Sequence, residues 1–273
     1  MPRVLILSSY VASSRVGGGA QALALARLGI EPILIPTVLF GRHPGHGPPG
    51  GAAVAVETMA AMLDGVEAQG LFTSLGAVIT GHFSSPEQVA LAVRTIERAR
   101  AAGSAKIVVD PIMGDERPGL YIQGPVAEAL ARTLVPAADL VAPNAWELGR
   151  LTGLPVANAH QMLAAARRLG KPVLVSSVRS GDDLGVLYVD DRSVWLGSHA
   201  AAPSAPNGVG DLLTALFTAG MVEGLPVPET FRAAVSGVAE AVLAAGGAPE
   251  LSVEAMPTQL FASPRVKVEL FHG

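Results

Sequence analysis

The sequence predicts an α/β protein, a three-layer α/β/α domain in which a mostly parallel sheet is covered by helices. Three observations carry that expectation. Short β-branched or aliphatic runs alternate with longer segments of helical period. Polar or turn-forming residues recur where those runs stop. The 273 residues, 50% of them hydrophobic, suffice for one large domain with a sizeable core. No linker, repeat or low-complexity tract interrupts the chain, so residues 1–273 are expected to form a single domain.

In order, Val4 to Leu7 reads as a buried first strand, followed by a glycine turn at Gly17, Gly18 and Gly19 and a helix from about Ala20 to Leu28 that stops at Gly29. Ile33 to Val38 is the second strand. The stretch Gly41 to Gly51 holds three prolines and five glycines around His43 and His46, too many breakers for a core element. Met59 to Leu63 lies in a helix. Ala77 to Thr80 and Ile107 to Asp110 are strands on either side of the helix Pro86 to Ala101. Leu140 to Ala142 is a short strand that runs through Pro143 and Asn144 into another helix. Pro172 to Ser177 and Leu184 to Val189 are strands, and Val194 to Leu196 pairs with the latter. Helices Asp211 to Glu223 and Pro228 to Ala245 close the domain, with Val266 to Phe271 as an edge strand.

Composition excludes several classes of function. The formal net charge of −4 is spread without a basic block, so the chain lacks the electrostatic footprint of a nucleic-acid or anionic-membrane binder. Zero cysteines rule out thiol catalysis, cysteine-ligated zinc and disulfides. No run approaches a membrane span, and Val4 to Leu7 is too short for a signal-peptide core. A cytoplasmic location is the expectation.

In a doubly wound sheet, ligands bind beyond the carboxyl ends of the strands, so polar residues that end strands are informative. These are Ser8, Ser9, Thr37, Gly81, His82, Asp110, Asn144, Ser176 and Ser177. Taken singly, each reads most often as the cap or turn of the next helix. Asn207-Gly208-Val209-Gly210-Asp211 is more telling, because it leads directly into an amphipathic helix. Glycine amides that turn toward one point, together with a helix N-terminus, hold an anion such as a phosphate. Asp211 beside that anion is either a proton acceptor or a helix cap. If it sits at the helix N-terminus, its pKa is expected to be lowered.

The segment Asp110-Pro111-Ile112-Met113-Gly114-Asp115 lets two carboxylates face one crevice, the hard oxygen chemistry that suits Mg²⁺. Asn144 and Glu147, three apart at a helix start, present to one side as metal ligands or as a capping pair.

Taken in order, these segments resemble the pyridoxal kinases of the ribokinase-like superfamily over nearly the whole chain. The resemblance is carried by Ser9 and Gly17, Arg27-Leu28-Gly29, Pro36-Thr37-Val38-Leu39-Phe40 with His43, and Gly81. It continues through Asp110 to Asp115 with Leu120-Tyr121, Ala142-Pro143-Asn144 with Glu147 and Leu151-Thr152-Gly153, and ends on Gly208-Val209-Gly210-Asp211. The related hydroxymethylpyrimidine kinases lack the Thr-Val-x-Phe and His segment and usually carry cysteine at the position of Asp211.

The resemblance implies ATP-dependent phosphorylation of the 5′-hydroxymethyl group of pyridoxal, pyridoxine or pyridoxamine. By position, Asp211 is similar to the family's general base, and Gly208, Val209 and Gly210 to its anion hole. Asp110 and Glu147 match the Mg²⁺ ligands, with Asp115 and Asn144 in the same nucleotide and metal network. Ser9, Thr37, His43 and His82 match the substrate side. ATP and Mg²⁺ are implied as cofactors, a monovalent cation is left open, and a homodimer formed through the sheet edge and lid region is implied. His46 and His82 stand where many members carry tyrosines, Ala142 replaces a frequent hydroxyl residue, and the nucleotide-side segment 177–193 is short. Another small-alcohol kinase of the superfamily, or a catalytically weak pyridoxal-binding paralogue, are the alternatives. The base beside an anion hole speaks against the paralogue.

Overall fold

The computed structural model describes residues 1–181, 183–202 and 206–272; position 182 of the nucleotide-side segment therefore lies outside the described residues. The elements follow as β1 (Arg3–Val11), α1 (Gly17–Arg27), β2 (Glu31–Phe40), β3 (Gly51–Ala53), α2 (Val56–Ala68), β4 (Leu75–Thr80), α3 (Pro86–Ala102) and β5 (Lys106–Val109). A small hairpin of β6 (Gly114–Asp115) and β7 (Gly119–Leu120) precedes α4 (Gly124–Ala129) and α5 (Val135–Ala137). Then come β8 (Leu140–Val141), α6 (Ala145–Thr152), α7 (Ala159–Arg168), β9 (Val173–Ser180), β10 (Asp183–Val189), β11 (Val194–Ala200), α8 (Val209–Val222), α9 (Val227–Ala245) and β12 (Lys267–Leu270).

Ten strands form one sheet in the order β12-β11-β10-β9-β8-β5-β4-β1-β2-β3. The block from β9 through β2 is parallel, and β3, β10, β11 and β12 extend it antiparallel at the two ends. Period-two alternation assigns the faces. Val4 and Ile6 join Ile79, Val108, Leu216, Phe217 and Phe231 beneath α1, α8 and α9. Leu5 and Leu7 join Met59, Phe72, Val78, Ile96 and Val109 beneath α2 and α3, while Leu148, Leu163, Val175 and Leu187 fill the same face under α6 and α7. Each such side chain contributes about 1.5–3 kcal/mol by leaving water.

Local signals set the helix ends. Ser85 accepts the Gln88 N–H and Pro86 opens α3, whereas α6 ends at Gly153 with φ 69°. The α1 start departs from expectation: Gly17 to Gly19 are its first turn, not a turn before it. A Cβ on Gly17 would lie 2.0 Å from Ser9 Oγ and one on Gly18 2.4 Å from Leu34 Cδ1, so the glycines serve to bring the helix close to the sheet.

β1 also runs farther than Leu7. Its pairing with β4 ends at Leu7 and Thr80, but it continues beside β2 through an irregularity at Ser8 to Tyr10. Ser8 and Ser9 therefore lie within a strand, at the point where β4 leaves. Because α1 carries the chain to one side of β1 and α2 carries it to the other, the strand order reverses at β1, and a crevice opens there.

Candidate active site

Three strand ends and one helix start converge on that crevice. Asp110 follows β5 directly and is buried, its backbone N–H donating to Thr80 O at 2.9 Å. Its Oδ2 accepts the Thr214 hydroxyl at 2.9 Å, a bond that ties the end of β5 to α8. Burial, together with the charges of Asp211 and then Glu147, holds the Asp110 carboxyl well above the usual carboxylate range.

Glu147 takes the capping role that its spacing from Asn144 allowed. With Asn144 it forms a complete capping box: Asn144 Oδ1 accepts the Glu147 N–H at 2.8 Å and Glu147 Oε2 accepts the Asn144 N–H at 2.9 Å. Its Oε1 accepts the N–H groups of Met113 at 2.9 Å and Gly114 at 3.4 Å, clamping the loop after β5. An ionised carboxylate offers about four acceptor positions, so one remains on Oε2. Burial pushes this carboxyl up to about 7 against the pull of those backbone donors. Asn144 Nδ2 donates to Gly114 O at 2.8 Å, which fixes the β6–β7 hairpin over the same place. Asp115 departs from the expected pairing with Asp110: it is exposed on that hairpin, accepts the Glu116 N–H at 2.6 Å, and acts on Glu147 through its charge.

Asp211 is not the cap of its helix. Gly208 is, in the left-handed region at φ 89°, where a Cβ would lie 2.0 Å from Arg15 O. Asp211 stands three residues on, with Oδ1 buried and without a hydrogen-bond partner. Its pKa moves opposite to expectation: burial raises it to about 6, and the Gly17 backbone N–H only partly offsets this. A helix end is worth well under one kcal/mol at an exposed position and cannot outweigh loss of water from a carboxylate. Gly210 faces open space, with no atom within 4 Å of a built Cβ. The glycine turn thus leaves a void beside an unpartnered carboxylate at the head of α8.

On the other wall, His82 follows β4. Its backbone N–H donates to Ser8 Oγ at 3.3 Å, and its carbonyl accepts the Thr37 hydroxyl at 2.7 Å. Burial lowers the imidazole pKa to about 4, so the ring is neutral, and Nδ1 is buried without a partner. Thr37 is fully buried, and its hydroxyl supports the His82 carbonyl. His43 Nδ1 accepts the Gly45 N–H at 3.2 Å and caps the short 3₁₀ turn Pro44–His46, and its ring packs edge-on to His46 at 5.7 Å. Ser9 is buried against Gly17.

Three residues given no role from sequence belong to the site. Thr214 holds Asp110 and is signalled only by being one turn beyond Asp211. Tyr121 follows β7 with its side chain half-exposed, and loss of water around its hydroxyl, followed by the charges of Glu147, Asp110 and Asp211, holds that hydroxyl above the usual phenol range. Gln88 donates from Nε2 to the carbonyls of Thr37 at 3.0 Å and Val54 at 2.8 Å, fixing the substrate wall. No sequence pattern signals it.

The donor set fits Mg²⁺. Asp110, Asp211 and Glu147 are hard oxygen donors, the charges of Asp211 and Glu147 add to burial in raising the Asp110 carboxyl, and one Asp211 oxygen is unpartnered. Among the described residues no three His, Cys, Asp or Glu side chains are spaced to enclose a metal by themselves; an ion shared with waters and phosphates needs no such cage. Among those residues no helix is long and apolar enough to cross a membrane.

Residues 56–257 match the family model described as phosphomethylpyrimidine kinase. The chain is 32% identical to a pyridoxal kinase of Leifsonia xyli over 96% of both chains, and 34% identical to a pyridoxine/pyridoxal/pyridoxamine kinase of Bordetella avium over 84% of this chain and 81% of that one. The crystal structure of pyridoxal kinase from Entamoeba histolytica superposes with a TM-score of 0.92 at 25% identity, covering 99% of this chain and 100% of that one. With Asp211, the glycine turn and the strand-end carboxylates arranged on one ten-stranded sheet, the chain belongs to the pyridoxal kinase family of the ribokinase-like superfamily.

Proposed function

We propose that the protein transfers the γ-phosphoryl group of ATP to the 5′-hydroxymethyl oxygen of pyridoxal, with Asp211 as the base. The observation that carries the assignment of the base is its buried, unpartnered Oδ1 beside the open face of Gly210. The hydroxyl oxygen forms a bond to the γ-phosphorus, the bond from that phosphorus to the β,γ-bridging oxygen breaks, ADP leaves, and the hydroxyl proton passes to Asp211. Such transfers run through a loose transition state, so positioning and charge neutralisation dominate and the proton moves late. A carboxylate near pKa 6 is ionised at neutral pH and is a better acceptor than an ordinary aspartate.

The Gly208–Val209–Gly210 amides and the α8 N-terminus meet the migrating phosphoryl group. Asp110 and the free position on Glu147 would hold Mg²⁺, whose chemistry is to neutralise the nucleotide phosphates. Ser9, His82 and His43 face the pyridine side, with Thr37 behind His82. The relatives' names favour pyridoxal over the hydroxymethylpyrimidine alternative. A homodimer is supported by Tyr10 and Leu39, paired across β1 and β2 and both about half exposed beside the open β3 edge.

A coupled assay of ADP release with pyridoxal, followed by the absorbance of pyridoxal 5′-phosphate, tests the reading. Turnover with pyridoxal that requires MgATP is expected. Absence of both ADP and phosphate ester with all three vitamers would overturn it.

A further inference from the structure

Three segments around the mouth of the crevice end on one carboxylate, Glu250, in the loop after α9. Its Oε2 accepts the Ser14 hydroxyl at 2.5 Å and the Arg15 backbone N–H at 3.1 Å. Its Oε1 accepts Asn207 Nδ2 at 3.4 Å and lies 3.9 Å from His46 Nδ1, an ion pair whenever that ring carries a proton. The backbone joins the same pieces, since the Asn207 N–H donates to Pro249 O at 2.8 Å and Asn207 bridges Glu250 as in a parallel sheet. A cavity of about 350 Å³ between His43, His46, Asn207 and Gly247–Pro249 lies along this junction.

These contacts flank the glycine turn on both sides. Arg15, whose N–H is held by Glu250, presents the carbonyl that bars any side chain at Gly208. Asn207, held through its side chain and its N–H, is the residue before Gly208. Gly208 has no side chain with which to fix itself, so its left-handed conformation rests on these neighbours. Amides that must meet a transferring phosphoryl group act only if they are aimed before it arrives.

We propose that Glu250 is a positioning residue for phosphoryl transfer, which presets the Gly208 turn through Arg15 and Asn207. This rests on reading Gly208–Gly210 as the anion hole. A carboxylate that merely fastened the C-terminal loop would affect stability and nothing else.

The test uses the full chain with Glu250→Ala, Glu250→Gln, Asn207→Ala and the Asn207→Ala/Glu250→Ala pair. Two measurements are made: hydrogen exchange of the backbone amides in 206–212, and kcat and KM for pyridoxal and MgATP below the melting range. In Glu250→Ala, exchange in 206–212 is expected to rise and kcat to fall roughly 10-fold or more, with KM for pyridoxal nearly unchanged, because small misplacement of catalytic groups costs up to about 10²-fold. Glu250→Gln keeps an acceptor for Ser14 and Arg15 and is expected to fall between wild type and alanine. The double variant is expected to be no worse than Glu250→Ala, since both changes loosen one turn. Wild-type exchange and kcat in Glu250→Ala with only a lower Tm, or additive losses in the pair, would overturn the proposal. If Glu250→Ala does not fold, Glu250→Gln and Asn207→Ala decide by the same two readouts. Wild-type protein without kinase activity would sink the proposed function instead, and the exchange result would still decide the role of Glu250.

Discussion

At the scale of single residues, Asp211 shows how environment decides chemistry. An aspartate in the first turn of a helix reads as a cap with a depressed pKa, yet the cap is Gly208 and burial lifts the carboxyl to about 6. Asp211→Asn preserves shape and removes the proton acceptor. The expected result is a kcat lower by about 10²- to 10⁴-fold with a Tm at pH 8 equal to or above that of wild type, measured by steady-state kinetics and thermal melting. The wild-type profile of kcat/KM against pH is expected to lose activity on the acid side with an apparent pKa near 6, a value belonging to the carboxylate cluster as a whole. That limb should shift in the variant as the remaining carboxylates titrate without Asp211, and a wild-type rate in a folded Asp211→Asn protein would refute the assignment. Asp211 and the glycines stood out in the sequence because a glycine-rich helix start favours an anion, while the spacing alone left Asp211 as much a cap as a base. Thr214 and Gln88 did not, since a buried threonine or glutamine acts through a partner remote in sequence.

Among the elements, the long strand and helix runs were predicted to within a few residues, because apolar periodicity is a local signal. The misses share a different cause. Helix α7 (Ala159–Arg168) begins with an Asn158 cap but carries a mixed surface, and its apolar stripe is defined only by what it packs against. The segment 41–51 is less irregular than its breakers suggested: it contains the 3₁₀ turn Pro44–His46, and Gly51 begins β3, which pairs antiparallel with the end of β2. Between these, residues 44–46 are exposed and held mainly by local bonds. This stretch is expected to be cut readily by protease in the free protein and to be protected by pyridoxal with a non-hydrolysable ATP analogue. Limited proteolysis with mass spectrometry checks it; equal cutting in both states would count against closure over the ring.

The whole molecule carries the electrostatic cost of its site. Glu147 near 7 and Asp211 near 6 have folded-state values above those of the unfolded chain, and Asp110 is raised as well. The folded protein therefore holds protons that the unfolded chain has released between about pH 4 and 7, and free-protein stability falls as pH rises through that window. A pH 6 sample is expected to melt above a pH 8 sample. The lowered pKa of the buried His82 acts in the opposite sense below about pH 6.5, so the net difference is on the order of 1 kcal/mol, at about 2–4 °C per kcal/mol for a chain of this size. Asp110→Asn removes one of the buried charges, so it should raise the melting temperature at pH 8 and flatten the dependence, while weakening MgATP binding. Calorimetric melting across pH with and without MgATP checks both, and a variant less stable than wild type at pH 8 would contradict the account.

The sequence by itself determined the alternating strand-and-helix order, the parallel sheet, the glycine turn and the identity of the carboxylates, because periodicity, caps and breakers act over a few residues. Only the tertiary structure decided which of those carboxylates are buried together, that Asp115 stands outside, and that Thr37 serves His82. It also decided that Glu250, 43 residues after Asn207, meets the glycine turn. Burial and charge coupling depend on neighbours supplied by distant segments, and no local pattern encodes them.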